Sequence, residues 1–151
     1  YYNPGVVLAS QANYAAASQD FDTALEFDSK FVPALRQRAK IYAVRGNLMG
    51  ALADYSEAIR LQPKTAALWS DRGYVDLGQH DYSGAVKDEA QAIQLDPKLA
   101  RAYYLRGVAF GDLGDRTNAV GDLQTAVGLD ASLARYVLIQ GKNVTLTLPP
   151  L

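Results

Sequence analysis

The stretch LQPK at residues 61–64 recurs as LDPK at residues 95–98, and this repetition at an offset of 34 residues decides the architecture. The same frame continues without insertion to LDA at 129–131 and back to FDS at 27–29. A period of 20 to 50 residues is typical of proteins that stack one supersecondary unit several times. The chain of 151 residues therefore contains four registers of one repeated unit.

Three columns of small residues follow this frame. Two helices pack closely where both present small side chains, and apolar residues spaced i, i+3, i+4 between the columns indicate buried helical stripes. Each unit is therefore predicted to be a pair of helices, ended by Pro63 and Pro97, which lack an amide hydrogen. The columns are Gly5, Ala39, Gly73, Gly107 and Gly141; Ala17, Ala51, Ala85 and Ala119; and Ala24, Ala58, Ala92 and Ala126.

The multi-column pattern resembles the tetratricopeptide repeat, through Trp69, Gly73, Ala85, Ala92 and Pro97. The resemblance covers about residues 1–142. It implies an all-α fold, a right-handed α-solenoid of about four helical hairpins plus a C-terminal capping helix. The implied boundaries are an array over 1–142, with repeats at about 1–31, 32–65, 66–99 and 100–133 and a capping helix at about 133–142, and an extended or disordered tail over 143–151.

Composition excludes several classes of function. The 15 Lys and Arg nearly balance the 16 Asp and Glu, so we expect no nucleic-acid partner. With no Cys and a single His80, which falls in a predicted turn, we expect neither an enzyme nor a cofactor or metal site. No apolar run is long enough to span a bilayer. We expect no membrane insertion, and a soluble protein of the cytoplasm or periplasm.

Two further columns hold opposite charges 16 residues apart. Pairing within a repeat joins each Arg to the Asp that follows it, whereas pairing across the repeat interface joins it to the Asp that precedes it. We interpret these residues as a structural ladder, because a planar guanidinium suits a partly buried carboxylate. The columns are Arg38, Arg72 and Arg106, and Asp20, Asp54, Asp88 and Asp122.

The third repeat places Asp76 and Glu89 in columns that are apolar in the other repeats. One interpretation is a carboxylate pair with a raised pKa, as in acid/base or metal sites. The favoured interpretation is that both side chains reach solvent or Arg72, which lies one helical turn from Asp76.

The resemblance implies that first helices line a groove, whose basic and aromatic residues suit an extended peptide with acidic side chains or a free C-terminal carboxylate. We therefore predict a scaffold for protein–protein interaction. The alternative is a self-assembly module that forms a homo-oligomer through its exposed ends. The predicted peptide-binding residues are Asn3, Arg36, Gln37, Lys40, Ser70, Asp71, Tyr74, Arg101, Tyr104, Val108 and Arg135.

The tail over 143–151 alternates polar and apolar residues and ends in two prolines. It is either a disordered terminus or a strand-like segment that packs on the array or enters the groove of a neighbour.

Overall fold

The computed structural model describes the backbone of residues 4–140 and 143–151, and the side chains of residues 13–137 and 145–151. This part of the chain is mostly helical, as predicted. Its α-helices are α1 (Pro4–Phe27), α2 (Val32–Val44), α3 (Leu48–Leu61), α4 (Ala66–Gly78), α5 (Tyr82–Leu95), α6 (Ala100–Asp112) and α7 (Arg116–Leu129). A 3₁₀ helix (Ala131–Tyr136) and the strands β1 (Val137–Gln140) and β2 (Asn143–Leu146) follow.

Each hairpin has one turn residue with a positive φ, at the same place in the 34-residue frame. These residues are Gly46 (φ 81°), His80 (φ 64°) and Gly114 (φ 83°). Glycine adopts this conformation freely, whereas a residue with a Cβ rarely does. His80 thus replaces a glycine in an exposed turn, where its Nδ1 lies 2.9 Å from the Tyr82 hydroxyl.

The residue after each turn caps the second helix of the hairpin. Its side-chain oxygen accepts a hydrogen bond from the backbone amide three residues later, which satisfies a donor that the helix itself leaves unpaired. The pairs are Asn47 with Gly50, Asp81 with Gly84, and Asp115 with Asn118. Turn and cap together fix where α3, α5 and α7 begin.

The first repeat departs from the hairpin predicted over residues 1–31. α1 runs unbroken from Pro4 to Phe27. The turn column holds Ala12 here, and alanine has the highest helix propensity and does not favour a positive φ. The hairpins of the described chain are therefore α2/α3, α4/α5 and α6/α7, preceded by one long helix.

The alanine columns are the points of close helix contact in these hairpins. Ala51, Ala58, Ala85, Ala92 and Ala126 are each 0% exposed. Their burial agrees with the prediction that these columns mark helix contacts in the three hairpins, whereas Ala17 and Ala24 of the same columns, on α1, are half-buried.

The charge ladder closes within each hairpin. In each pair the Nε and Nη2 atoms of the arginine donate to the two carboxylate oxygens of one aspartate, a bidentate geometry that fixes both side chains. The distances are 2.7 and 2.8 Å for Arg38–Asp54, 2.6 and 2.8 Å for Arg72–Asp88, and 2.7 and 2.9 Å for Arg106–Asp122. Asp20 is exposed, and Arg38 instead takes Asp22 as its second partner, at 2.8 Å.

The chain divides into two compact units, residues 1–62 and residues 63–151. In the first unit, α2 packs against α1 and α3. In the second, α5 packs against α4 and α6, and α6 also packs against α7. None of the described helices combines the length and the apolar character that a membrane span requires.

The C-terminal cap differs from the helix predicted over 133–142. Only a 3₁₀ helix forms, up to Tyr136, and β1 then pairs antiparallel with β2, with Val137 opposite Leu146 and Gln140 opposite Asn143. Val and Ile are good strand formers, and a lone helix of ten residues is marginal. Of the two readings of the tail, the structure shows the extended segment that packs on the array.

Candidate functional site

A cluster of polar side chains lies between α4, α5 and α6 of the second unit. Ser70 and Asp71 on α4 are each 1% exposed, and Glu89 on α5 is 0% exposed. Arg101 on α6 joins them, because its Nη1 donates to Asp71 Oδ1 at 3.1 Å. Tyr74 completes the group, which we call the polar cluster.

Arg101 is held from two sides, and its side chain is 24% exposed. Its guanidinium lies 5.1 Å from the centroid of the Tyr74 ring, a cation–π contact. Its Nε and Nη2 atoms are covered and have no hydrogen-bond partner among the residues that the structure describes. This is the same edge with which Arg38, Arg72 and Arg106 each hold a carboxylate.

Glu89 is a buried carboxyl group without a hydrogen bond of standard geometry to either oxygen within the described chain. Burial raises its pKa well above the usual range, and the Ser70 hydroxyl and the Arg101 charge only partly oppose this. The side chain fits because residue 73 has no Cβ: an ideal Cβ there would lie 2.7 Å from Glu89 Oε1. Glu89 is therefore expected to be neutral at pH values where exposed glutamates are ionised.

Tyr104, on α6, is 0% exposed and lies beneath the C-terminal segment. Its hydroxyl is 3.0 Å from the Tyr136 carbonyl oxygen and 2.9 Å from the Thr147 carbonyl oxygen. Because the hydroxyl has one proton, it can donate a hydrogen bond to only one of these oxygens at a time. Burial raises its pKa to about 12. Leu146 and Leu148 pack against the apolar cluster to which Tyr104 belongs.

An apolar groove of about 730 Å³ lies along the outer face of α7 in the second unit. Val120, at its edge, is 53% exposed. At the same positions in the 34-residue frame, α5 packs against α6, whereas in the described chain α7 is followed by the short 3₁₀ helix and by no further α-helix. The groove is lined by Val120, Leu123, Gln124, Val127, Gly128, Ala134 and Val137.

This helical arrangement is similar to that of known proteins. Residues 100–133 match the family model of the tetratricopeptide repeat. The crystal structure of MamA superposes with a TM-score of 0.76 at 19% sequence identity, covering 90% of this chain and 80% of that chain. The chain has the tetratricopeptide-repeat (TPR) fold. The fold class predicted from the 34-residue frame is thereby confirmed.

Two other TPR structures are similar over a shorter part of the chain. The Arabidopsis OM64 TPR domain has a TM-score of 0.65 and 24% identity, covering 67% of this chain and 84% of that one. The second TPR of Spaghetti (RPAP3), solved with the HSP90 peptide SRMEEVD, has a TM-score of 0.65 and 28% identity, covering 68% of this chain and 95% of that one. No curated protein sequence matches the chain significantly.

The groove residues predicted from the TPR resemblance fall into the two units. In the first, Gln37 is exposed on α2, and Arg36 and Lys40, one helical turn apart, are half-buried. Asn3 lies outside the described residues. In the second, the structure brings Ser70, Asp71, Tyr74 and Arg101 together in the polar cluster.

Three of the predicted groove residues, two in the fourth repeat and one in the predicted capping helix, do not form an open TPR groove. Tyr104 and Val108, at 0% and 8% exposed, are core residues, because the C-terminal segment covers this side of α6. Arg135 is exposed in the 3₁₀ helix, where its Nε donates to the Ser132 carbonyl at 2.9 Å and its guanidinium lies 5.7 Å from the Tyr136 ring. It thus belongs to the C-terminal cap.

Asp76 and Glu89 do not reach solvent as the favoured interpretation expected. Asp76 is 8% exposed, and Arg72 pairs with Asp88. Burial, followed by the charges of Asp88 and Asp81, raises the pKa of Asp76 to about 6. No group of three potential metal ligands occurs in the described part of the chain.

Sequence reasoning missed two parts of the site. It identified Glu89 as an acid in an apolar column, but nothing in the pattern placed it beside Arg101 of the next repeat. It also assigned Tyr104 and Val108 to an open groove, although the alternation of Leu146 and Leu148 with threonines had indicated an extended tail that could pack on the array.

Proposed function

We propose that the chain is a scaffold that binds an extended peptide along α4 and α6 of its second unit, with Tyr74 and Arg101 receiving an acidic side chain or the C-terminal carboxylate of the peptide. Arg101 carries this proposal. Asp71 and Tyr74 already restrict its side chain, so binding loses little freedom beyond the turning of the guanidinium.

The free edge of Arg101 is the supporting observation. Buried donors without partners are unfavourable by about 1–3 kcal/mol each, so a carboxylate that reaches Nε and Nη2 gains two charge-assisted hydrogen bonds and removes this penalty. Both atoms are covered in this structure. We therefore expect the partly exposed guanidinium to turn on the Tyr74 ring when the ligand binds.

The similar structures support the same function by analogy. One of them, the second TPR of Spaghetti (RPAP3), is described as bound to the acidic HSP90 peptide SRMEEVD. Fold similarity at this level of identity does not transfer a ligand. The comparison supports the proposal only in that a domain of similar fold is described as bound to a peptide with acidic residues.

The test is a panel of fluorescent hexapeptides, each made with a free acidic C-terminus and as a neutral amide with Asn or Gln. We expect the acidic members to bind and the neutral members to bind about tenfold more weakly or worse. Removing Arg101 alone would leave the buried Asp71 carboxylate without its arginine partner. The variant is therefore Asp71→Asn with Arg101→Gln, which keeps the net charge and should lose the preference for acidic peptides.

A matched control removes another ion pair, the exposed Arg60–Glu57 pair on α3. The double variant Glu57→Gln with Arg60→Gln should bind like the wild-type chain. Equal loss in both double variants, or equal binding of acidic and neutral peptides, would refute the proposal.

The α7 groove supports a second candidate function, self-association through this face. Its exposed apolar lining is a surface that a second copy could cover. We expect the mass measured by light scattering to rise with concentration, and Val120→Asp to keep it at the monomer value. Thr117→Asp, an exposed neighbour on α7, is the control. A wild-type mass that stays monomeric at high concentration would exclude this candidate.

A further inference from the structure

The C-terminal segment lies on α6 in the way an extended ligand would. Leu146 and Leu148 are half-buried and Pro149 is buried, whereas Thr145 and Pro150 are exposed. Leu146 and Leu148 contact the apolar cluster that includes Tyr104, Leu105 and Val108. Over residues 145–148 exposed threonines thus alternate with half-buried leucines, which is the period-two pattern of an extended chain, and the buried Pro149 follows.

Backbone atoms of the segment are also engaged. The Thr147 carbonyl accepts from the Tyr104 hydroxyl at 2.9 Å, and the Thr147 amide donates to the Tyr136 carbonyl at 2.9 Å. Contacts to the main chain combined with pockets for alternate side chains are how proteins recognise extended peptides. The α6 face supplies both to residues 145–151.

We propose that residues 145–151 are an internal ligand, and that the same face of α6 binds an extended Leu-Xaa-Leu-Pro segment of a partner when the chain's own segment is displaced. This surface differs from the polar cluster: it recognises alternating leucines and a backbone carbonyl, not a carboxylate. The inference rests on the proposed function only in assuming that first helices bind extended polypeptide. The chain's own C-terminal segment is therefore released from α6 whenever the partner is bound there.

The experiment uses the full chain and a heptapeptide with the sequence of residues 145–151, TLTLPPL, labelled with fluorescein at its N-terminus. The variant Leu146→Asp with Leu148→Asp should release the internal segment, because two carboxylates cannot remain in the apolar cluster. We expect this variant to bind the peptide, seen as a rise in fluorescence anisotropy. We expect the wild-type chain to bind it about tenfold more weakly or worse, because its site is occupied.

Thr145→Asp with Pro150→Asp is the matched control. It adds the same charge to the same segment at exposed positions, so it should behave like the wild-type chain. A peptide carrying the two Leu→Asp changes should bind none of the chains. Equal affinity of the wild-type chain and the leucine variant, or no binding to a folded leucine variant, would overturn the proposal.

A second measurement covers the case in which the leucine variant does not fold. Tyr104→Phe keeps the ring and removes the hydroxyl that holds the Thr147 carbonyl. We expect the Thr147 amide to exchange with solvent several-fold faster in Tyr104→Phe than in the wild-type chain. An unchanged rate would contradict the internal ligand. So would a wild-type mass that falls from twice the monomer value to the monomer value as the peptide binds, since the segment would then have been exchanged between copies.

None of these measurements depends on Arg101. Loss of acidic-peptide binding with the α6 face intact would refute the proposed function alone, and the reverse result would refute the internal ligand alone.

Discussion

Asp76 is a buried acid whose pKa is raised to about 6 by burial and by Asp88 and Asp81, against the weaker opposing effects of Arg72 and Gln79. A raised pKa means that the folded state keeps a proton that the unfolded chain has already released. Folding stability therefore falls as pH rises from the ordinary value of 3.8 through about 6, and the loss is complete above that. At neutral pH the ionised Asp76 destabilises the fold.

We predict that Asp76→Asn stabilises the protein at pH 7.5 by about 2 kcal/mol and has little effect at pH 4. Asparagine keeps an oxygen that can accept the hydrogen bond from Gln79, so the change removes the charge and little else. Urea unfolding at a series of pH values measures the difference. A difference between the two proteins that does not change with pH would contradict the assignment.

Gly73 and Glu89 form the tightest contact in the polar cluster. An ideal Cβ at residue 73 would lie 2.7, 3.2 and 3.3 Å from Oε1, Cδ and Cγ of Glu89. It would therefore be too close to three atoms along the side chain, and not only to the terminal oxygen. Alanine should otherwise favour the helix by about 1 kcal/mol. Whether Gly73→Ala stabilises or destabilises the protein therefore depends on the contact of the new Cβ with Glu89.

We predict that Gly73→Ala destabilises the wild-type chain by about 1–2 kcal/mol and stabilises the Glu89→Ala variant. Thermal unfolding of the four proteins of this double-mutant cycle gives the coupling. Independent effects at the two positions would show that the carboxyl group moves aside without cost.

At the scale of the elements, the ladder ties the two helices of each hairpin together. Asp54 is 7% exposed as a residue and receives two charge-assisted hydrogen bonds from Arg38. The pair Arg60–Glu57 has side chains that are 63% and 39% exposed and lies along one helix. The Arg38–Asp54 pair is thus partly buried and joins two helices, whereas the Arg60–Glu57 pair is exposed and joins residues of one helix.

We predict that Asp54→Ala lowers the free energy of unfolding by about 2–3 kcal/mol, because Arg38 loses its main partner. Glu57→Ala should change it far less, because solvent screens the exposed pair with Arg60. Melting temperatures of both variants test this comparison. Similar shifts in the two variants would mean that the ladder contributes no more than a surface pair.

The elements also show how far the sequence alone could lead. Helices α2 to α7 follow from alanine columns, prolines and glycine turns, each of which acts locally in the chain. The unbroken α1 could have been predicted, since Ala12 lacks the freedom that Gly46 and Gly114 have. The side of α6 that Tyr104 occupies could not, because its burial depends on a segment more than 30 residues away. The contact of Arg101 with Asp71 had the same difficulty.

At the scale of the whole molecule, local stability should differ along the chain. Residues 13–16 of α1 are exposed, and α1 packs extensively only against α2 within its unit. α6, in the second unit, packs against α4, α5 and α7 and includes Tyr104 and Leu105, both 0% exposed. Helices with few buried contacts open more often.

We predict that amides in the first half of α1 exchange with solvent at least about tenfold faster than those of α6. Hydrogen exchange followed by mass spectrometry resolves the two segments in one experiment. Uniform protection across both helices would indicate that the chain opens as one cooperative body.

The ladder has a further consequence for how such a chain can be lengthened or shortened. Because Arg38 pairs with Asp54, Arg72 with Asp88 and Arg106 with Asp122, each positive charge and its bidentate partner lie within one 34-residue block. Duplication or loss of a whole block therefore leaves no buried charge without its bidentate partner, whereas pairing across block boundaries would leave one at every new junction. The ladder therefore places no limit on repeat number, either in evolution or in the engineering of longer arrays, whereas the Arg101–Asp71 pair ties the third repeat to the fourth.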